Sequence, residues 1–314
     1  MRSFTIGPND AGQRMDKFIA KAVPLLPKNL MYKYLRLKRI KRNGKRCEIS
    51  TRLEEGDLVE LYINDEFFDA APEETFRFAG SMVPIIYEDE NLLLVNKPEG
   101  LVVHEDESGS PDTLIARVQK YLAEKGEYRP EEEHSFAPAL CNRIDRNTTG
   151  LVLCAKNAAT LRVMNEKIRD RQVEKRYRCL VHGTPEPPEA RVELFMRKRP
   201  DENRIEVFRH PVPDGRTMVT EYRVLRHDRD YALLEIHLVT GRTHQIRATM
   251  AAIGHPLVGE GKYGTAENSL GFRHQALCAW SLTFRFTGEP THLEYLNGRT
   301  FTVGDDPFTR YLKD

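Results

Sequence analysis

Residues 141–150 (CNRIDRNTTG) concentrate more reactive chemistry than the sequence around them. They hold one carboxylate, two guanidinium groups and four small polar side chains, and they run directly into the apolar segment 151–155 (LVLCA). Polar residues that end in glycine before an apolar run are typical of a turn leading into a buried strand. Such a turn would hold its polar side chains on rigid support at the edge of the core, as a reactive group requires.

Arg143 and Asp145 are two residues apart, so in an extended chain their side chains point to the same side. An ion pair between them would lower the pKa of the carboxylate by roughly 1–3 units. Asp145 is then expected to be ionised at physiological pH, which suits a nucleophile better than a general acid. The alternative is a solvated salt bridge beside a turn, and the spacing alone does not separate the two.

The first 64 residues, here called the N-terminal module, are expected to form a small α/β domain. Apolar spacing predicts a helix over residues 15–23, and a second helix is expected after Pro27. Asn43 and Gly44 predict a tight hairpin turn, and residues 58–63 predict a strand.

Charge is strongly segregated in this region, although the net charge of the chain is only +1. Residues 28–46 contain nine Lys or Arg and no acid, whereas residues 48–75 contain ten Asp or Glu and one Arg. Uncompensated like charges repel one another, which favours a phosphate backbone as partner over a merely solvated face. The predicted footprint, here called the basic face, comprises Lys33, Arg36, Lys38, Arg39, Lys41, Arg42, Lys45 and Arg46.

The length of 314 residues allows about two domains. Residues 65–82 are acidic and contain small residues, so they are expected to form a linker to a larger domain over residues 83–314. That part contains runs of strand-like segments with helices spaced irregularly, predicted over residues 158–171 and 243–253 among others. The pattern predicts an α+β fold with a mixed sheet rather than a doubly wound one.

Composition excludes several classes of protein. The hydrophobic fraction of 40% and the charged fraction of 30% are typical of a globular domain, and no apolar run reaches the ~18 residues that span a bilayer. The N-terminus lacks the layout of a signal peptide, so a cytoplasmic location without membrane contact is expected. The protein is also expected to be a monomer. The five cysteines form no CxxC pair and the ten histidines are scattered, so no metal site is predicted.

Two further segments carry candidate chemistry. Residues 239–247 (VTGRTHQIR) join a strand to a helix, where free N–H groups and basic side chains would attract a phosphate or carboxylate; ordinary capping by Thr240 or Thr243 is the alternative. Residues 259–264 (GEGKYG) match GxGxxG but do not follow a strand, so a turn is predicted and no nucleotide cofactor. Lys97 ends an apolar segment, where it either faces a site or, as is more usual for a lysine at the end of a strand, is solvated.

Three of these segments together resemble the motifs of the RluA family of pseudouridine synthases. The first family motif is matched by residues 87–100, the second by residues 142–150, and the third by residues 240–247 with their continuation to Gly264. The second motif is usually His-Arg-Leu-Asp-x-x-Thr-Ser-Gly, from which this chain departs at Asn142, Ile144 and Thr149. The N-terminal module resembles an alpha-L RNA-binding domain of the small-subunit ribosomal-protein type.

The resemblance implies a pseudouridine synthase fold with a central, mainly antiparallel sheet, and it implies a role for individual residues. Asp145 matches the catalytic aspartate, and Arg143 matches an arginine that enters the RNA duplex and helps to displace the target base. Tyr177 matches a tyrosine that stacks on the uracil. Ile246 and Arg247 match the apolar wall and the basic partner of the aspartate.

The implied reaction is the isomerisation of uridine to pseudouridine in structured RNA, without cofactor or metal. Family members with this N-terminal module commonly act on large-subunit ribosomal RNA, which is the expected substrate, with transfer RNA second. Modification of rRNA would place the protein in rRNA processing and ribosome biogenesis. The alternative is a non-catalytic RNA-binding or ribosome-assembly factor on the same scaffold.

Overall fold

The computed structural model describes residues 1–68, 75–105, 109–198, 204–264 and 270–313. Its strands form two separate sheets, a small one in the N-terminal module and a large one in the remainder of the chain. Each sheet contributes to its own hydrophobic core. No helix in the described ranges is long and apolar enough to cross a bilayer.

The N-terminal module is a four-stranded antiparallel sheet packed against two helices. Phe18 and Ile19 of the first helix and Leu35 of the second are buried against strand residues such as Val59. The predicted hairpin is confirmed by positive φ at both Asn43 and Gly44, as a type I′ turn requires. The elements are β1 (Arg2–Thr5), α1 (Met15–Ala22), α2 (Lys28–Arg36), β2 (Ile40–Arg42), β3 (Lys45–Arg46) and β4 (Leu58–Leu61), with sheet order β1-β4-β2-β3.

The large sheet has eleven strands in the order β11-β10-β12-β13-β9-β14-β8-β6-β5, with β15 beside β14 and β7 beside β8. Among the described strands only β8 and β14 pair in parallel, which confirms the predicted α+β class with a mixed, mainly antiparallel sheet. The strands are β5 (Ile85–Glu88), β6 (Leu92–Lys97), β7 (Ala139–Leu140), β8 (Thr149–Ala155), β9 (Val173–His182), β10 (Glu189–Lys198), β11 (Ile205–Phe208), β12 (Arg216–His227), β13 (Tyr231–Leu238), β14 (Leu277–Phe284) and β15 (Thr300–Thr302).

Helices cover both faces of the sheet at β6 and β8, which explains why these strands are apolar without alternation. Leu93 and Leu92 of β6 are both fully buried, but they point to opposite faces and belong to different cores. The first core also contains α3 (Leu114–Glu124) and α5 (Gln245–Ala252), and the second contains α4 (Ala158–Arg169).

Two helix boundaries differ from the sequence prediction. The helix predicted over residues 158–171 begins as expected, with the Asn157 side chain accepting a hydrogen bond from the N–H of Thr160, but it ends at Arg169 because Arg171 has a φ of 59°. The helix predicted over residues 243–253 begins only at Gln245, because His244 is left-handed.

The predicted linker is structured at both ends. Residues 65–68 and 75–78 form short 3-10 helices, and residues 69–74 lie outside the described part of the chain. Phe76 packs against Ala116 of α3, and the N–H of Gly80 donates to Asp112 at 3.0 Å. The division at residues 65 and 83 stays a prediction.

The N-terminal module also contacts the larger part of the chain directly. Asn9 donates to the carboxylate of Glu133, and Gln13 donates to the hydroxyl of Ser135, each at 2.6 Å. The Arg162 guanidinium donates to a backbone carbonyl of the module at 3.0 Å. None of these three contacts involves a residue of the basic face, which occupies α2 and the β2–β3 hairpin.

Candidate active site

The turn at residues 141–150 connects β7 to β8, as its sequence predicts. The N–H of Thr148 donates to the carbonyl of Asp145 at 3.0 Å, which closes the turn. The Asn142 side chain accepts a hydrogen bond of 2.8 Å from the N–H of Leu153, so it ties the turn to the strand that follows. Asp145 therefore lies on a loop held at both ends.

Gly150 explains why the turn enters the sheet at this point. Its φ is +109°, and an added Cβ would lie 2.3 Å from the carbonyl oxygen of Ala279 on β14. Only glycine permits this approach. Gly150 pairs with Ala279, and Ala279 pairs in turn with Tyr177 on β9. The register thus places the turn at β8 and Tyr177 on β9 on either side of β14 in one sheet.

Asp145 is partnered by Arg247, as the resemblance implied. Its Oδ2 lies 3.3 Å from Nη1 of Arg247, in the first turn of α5. Arg247 is buried and also donates to both oxygens of Glu260, at 2.6 and 2.7 Å. Burial opposes the ionised form of Glu260, but the bonds from Arg247 outweigh it and lower the pKa of Glu260. Glu260 was not predicted as a site residue, and it compensates the Arg247 charge.

Arg143 does not form the ion pair that its spacing suggested. Its side chain is exposed and lines the mouth of the pocket that contains Asp145. Ile144, between the two, is buried, and the chain at this turn is not a regular strand, so the expected same-side geometry does not apply. The position of Arg143 at the opening leaves it accessible to a large partner.

Tyr177 and Ile246 form the apolar part of the same pocket. Tyr177 is buried in β9, and burial, together with the nearby Asp145 charge, raises the pKa of its hydroxyl. Ile246 is buried on α5, next to Arg247. The pocket therefore combines one carboxylate with basic, aromatic and aliphatic groups, and its lining comprises Arg143, Ile144, Asp145, Thr148, Tyr177, Leu238, Arg242, His244, Gln245, Ile246, Arg247 and Leu277.

Lys97 is fully buried, so the expectation of a solvated lysine was wrong. Its ammonium group donates to the carbonyls of Pro98, Leu101 and Arg146 at 2.7–2.8 Å. Burial lowers the pKa of Lys97 to about 8, although the Asp145 charge acts in the opposite direction. Because Arg146 follows Asp145 directly, Lys97 fastens the end of β6 to the loop that carries the carboxylate.

His244, one of the basic side chains of residues 239–247, and Tyr263, in the continuation of the third motif, are two further residues of the site. His244 has φ 51° and ψ 22°, a left-handed conformation that is costly for a residue with a Cβ. Its Nδ1 lies 2.8 Å from the Tyr263 hydroxyl and its Nε2 3.9 Å from Oδ2 of Asp145. The left-handed turn is what directs the imidazole towards the carboxylate.

The start of α5 is not capped by Thr240 or Thr243. His244 occupies the N-cap position without a capping hydrogen bond from its side chain. Instead, the amide oxygen of Gln245 accepts bonds from the Thr240 hydroxyl at 2.9 Å and from the N–H of Arg242 at 3.0 Å. The capping interpretation was therefore wrong.

The GxGxxG segment is a turn, as predicted, and it contributes to the site. Gly259 has a φ of +75° and lies against the backbone at His274, which a side chain would overlap. Within this turn, Glu260 contacts Arg247, and Tyr263 contacts His244. The sequence signal was present, since a charged and an aromatic residue lie between the glycines, but it does not indicate their partners.

Most residues of the basic face are exposed, including Lys33, Lys45 and Arg46. Arg42 is an exception, because its guanidinium pairs with Asp57 at 2.5 Å and Glu54 at 3.1 Å. The hydrogen bond to Asp57 raises the pKa of Arg42 despite partial burial. Arg42 therefore stabilises the hairpin as well as adding charge to the face.

A model of the RNA pseudouridylate synthase family matches residues 91–252, which include the Asp145 turn, Tyr177 and α5. The match covers more than half of the chain, and the protein belongs to this family. It is an RNA pseudouridine synthase, an isomerase whose substrate is RNA.

Individual relatives extend the similarity beyond the matched segment. The ribosomal large subunit pseudouridine synthase D of Escherichia coli K12 is 32% identical over 262 residues, 83% of this chain and 75% of that protein. An uncharacterised RNA pseudouridine synthase of Mycoplasma genitalium is 30% identical over 90% of this chain and 88% of that protein.

The fold is shared with solved structures. Human RNA pseudouridylate synthase domain containing 4 superposes with a TM-score of 0.54 at 23% identity, over 72% of this chain and 89% of that chain. Human RNA pseudouridylate synthase domain containing 1 gives a TM-score of 0.56 at 20% identity, over 74% and 86% respectively.

Proposed function

We propose that the protein converts specific uridines of large-subunit ribosomal RNA into pseudouridine, with Asp145 as the catalytic nucleophile. The substrate follows from the relative in Escherichia coli, whose name specifies the large ribosomal subunit, and from the basic face, which suits a large structured RNA. Transfer RNA is the second candidate.

The reaction places specific demands on the site. The bond from ribose C1′ to N1 of uracil breaks and a bond from C1′ to C5 forms; C5 loses a proton and N1 gains one. The base must leave its stack, at a cost of a few kcal/mol that stacking and hydrogen bonds in a pocket offset. Tyr177 would supply the stacking face and Arg143, at the mouth, would replace the displaced base. An ionised carboxylate adds covalently to C1′ or to the base and is later released.

The single observation that carries the proposal is the position of Asp145. Its carboxylate lies in the pocket with Tyr177 and Ile246, and it forms an ion pair of 3.3 Å with Arg247. A nucleophile needs to be charged and near a stacking platform, and a protein that only binds RNA gains nothing from this arrangement.

Substitution of Asp145 tests the role. Asp145→Asn and Asp145→Ala are expected to abolish pseudouridine formation on a large-subunit rRNA transcript while RNA binding survives. The assay follows hydrogen released from uracil C5, and Asp230→Asn, which changes an exposed aspartate, is the matched control. Full turnover by either Asp145 variant rejects the assignment. Loss of RNA binding together with activity would favour a structural role instead.

The basic face is tested through the salt dependence of RNA binding. Lys45→Gln combined with Arg46→Gln should reduce the slope of log affinity against log salt by about 2, one for each lost phosphate contact. The control is Arg310→Gln with Lys313→Gln, two exposed positive charges near the C-terminus. An unchanged slope in the first variant would mean that the footprint lies elsewhere.

Mapping of pseudouridines in total RNA from cells with and without the gene tests the substrate. The expected result is the loss of defined sites in large-subunit rRNA. If pseudouridines are lost only from tRNA, the substrate is tRNA and not rRNA. If none is lost from any RNA, the result favours the non-catalytic alternative.

A further inference from the structure

We propose that His244 is a positioning residue for Asp145, acting through an Nε2–H donor whose tautomer is fixed by Tyr263. The inference rests on the proposed role of Asp145 as the nucleophile. It assigns the two carboxylate oxygens different roles: Oδ2 faces the donors of Arg247 and His244, and Oδ1 is left to react.

The observation behind the proposal is the convergence of two donors on one oxygen. Nη1 of Arg247 lies 3.3 Å from Oδ2 of Asp145, and Nε2 of His244 lies 3.9 Å from the same oxygen. Within the part of the chain that the structure describes, no hydrogen bond to Oδ1 is present. The free oxygen is therefore the one that can approach a ribose or a uracil.

The tautomer of His244 follows from the groups around Tyr263. The N–H of Ile205 donates to the Tyr263 hydroxyl oxygen at 3.2 Å, which leaves the phenolic proton available for Nδ1 of His244 at 2.8 Å. If Nδ1 carried the hydrogen instead, Nε2 would direct a lone pair at the Asp145 carboxylate, which is repulsive. The hydrogen therefore resides on Nε2 and faces Oδ2.

The charged groups around the imidazole favour its neutral form. Burial lowers the pKa of His244, and the positive charges of Arg247 and Lys262 act in the same direction. The negative charges of Asp145 and Glu260 oppose them. A neutral imidazole with hydrogen on Nε2 is a donor towards Asp145 without adding a competing cation to the site.

The separation of 3.9 Å exceeds hydrogen-bond distance, so the contact is incomplete in the free protein. Catalytic hydrogen bonds often tighten only when substrate is bound. Closure of this gap on a flipped nucleotide would fix the direction of the Asp145 carboxylate at the moment of attack. The left-handed backbone of His244 holds the ring in place for that step.

Two substitutions of His244 distinguish the role of its Nε2–H donor from the role of the side chain's shape. His244→Asn keeps an acceptor near the Nδ1 position and tolerates the left-handed backbone, but it loses the distal donor. His244→Gln places an amide donor at the distal position. Tyr263→Phe removes only the hydroxyl that orients the imidazole. His227→Asn changes an exposed histidine and serves as the control.

Single-turnover rates and RNA affinities are measured on one large-subunit rRNA transcript, with a melting temperature for each variant to confirm folding. His244→Asn should lower the rate about 100-fold, the effect of a misplaced catalytic group, with RNA affinity unchanged. His244→Gln should recover about tenfold of that loss, and Tyr263→Phe should fall between them.

Wild-type rates in His244→Asn, or equal losses in the asparagine and glutamine variants, overturn the proposal. Asp145→Asn is included in the same assay. An inactive Asp145→Asn with a fully active His244→Asn rejects only the role of His244, whereas an active Asp145→Asn rejects the underlying nucleophile.

Discussion

Replacement of Glu260 by glutamine removes one buried charge and almost preserves its shape. Glu260 is fully buried, and it accepts two hydrogen bonds from Arg247, whose side chain is 11% exposed. Breaking a buried ion pair costs about 3–5 kcal/mol, because the remaining charge loses its compensation. Asp145 lies 3.3 Å from Arg247 and can still balance part of its charge, and glutamine still accepts one hydrogen bond, so we expect the low end, about 3 kcal/mol.

Thermal unfolding measures this loss. For a domain of this size, 3 kcal/mol corresponds to a fall in Tm of about 6–12 °C. Glu193→Gln, which changes an exposed glutamate of β10, is the matched control. We also expect slower pseudouridine formation, since Arg247 would shift towards Asp145. A Tm for Glu260→Gln equal to that of the control would refute the reasoning that Glu260 compensates Arg247.

We also expect Glu260→Gln to change the pH dependence of the free energy of unfolding. Since the pKa of Glu260 is lowered in the folded state, this state binds fewer protons than the unfolded chain as pH falls. The stabilisation is complete above the unfolded pKa of about 4.3, and it is lost as pH falls through the lower folded value. Glu260→Gln should therefore lose less stability on acidification than the wild type does.

Gly150→Ala should destabilise the protein by about 4 kcal/mol, because the new Cβ would overlap Ala279 and the backbone would be strained. The control is Gly100→Ala, which should cost about 1–2 kcal/mol, because Gly100 has a φ of +82° but open space around it. Equal losses of the two variants in urea unfolding would contradict the role of the overlap. Lys97→Met leaves three backbone carbonyls without a hydrogen-bond donor, at a cost of about 1–3 kcal/mol each. The variant no longer buries a charge, which returns about 3 kcal/mol. We therefore expect a net loss of stability near pH 7. Folding lowers the pKa of Lys97 from 10.5 to about 8, so between these two pH values the unfolded wild type binds more protons than the folded protein, and the stability of the wild type should rise with pH. If the stability of Lys97→Met rises with pH by the same amount over this range, Lys97 is not the group that titrates.

The sequence was most informative where periodicity and turn chemistry agree. The hairpin at Asn43 and Gly44 and the buried strand after Gly150 both follow from local rules, and both are confirmed. The start of α5 was missed because His244 adopts a left-handed conformation that a capping pattern does not indicate. A helix predicted from apolar spacing extends over such a residue, since the side chains on either side keep their periodicity.

The site was predictable as a set of motifs but not as a network. Residue spacing suggested an ion pair of Asp145 with Arg143, two residues away, whereas the structure pairs Asp145 with Arg247, which is 102 residues away and which only the family resemblance indicated. Lys97 illustrates the same limit, because its three carbonyl partners include one 49 residues distant. Spacing rules describe side chains on one regular element, and neither of these contacts lies on one.

Strand order explains why such distant residues meet. β8 pairs with β6 on one side and with β14 on the other, so the turn that precedes β8 faces Lys97 at the end of β6 and the backbone of β14. The parallel pairing of β8 with β14 requires glycine at position 150. Because β14 also pairs with β9, it is the one strand that lies between the turn and Tyr177. A substitution that shifts this register would move Asp145 relative to Tyr177 while leaving every site residue in the sequence. The geometry of the candidate site therefore depends on this strand register.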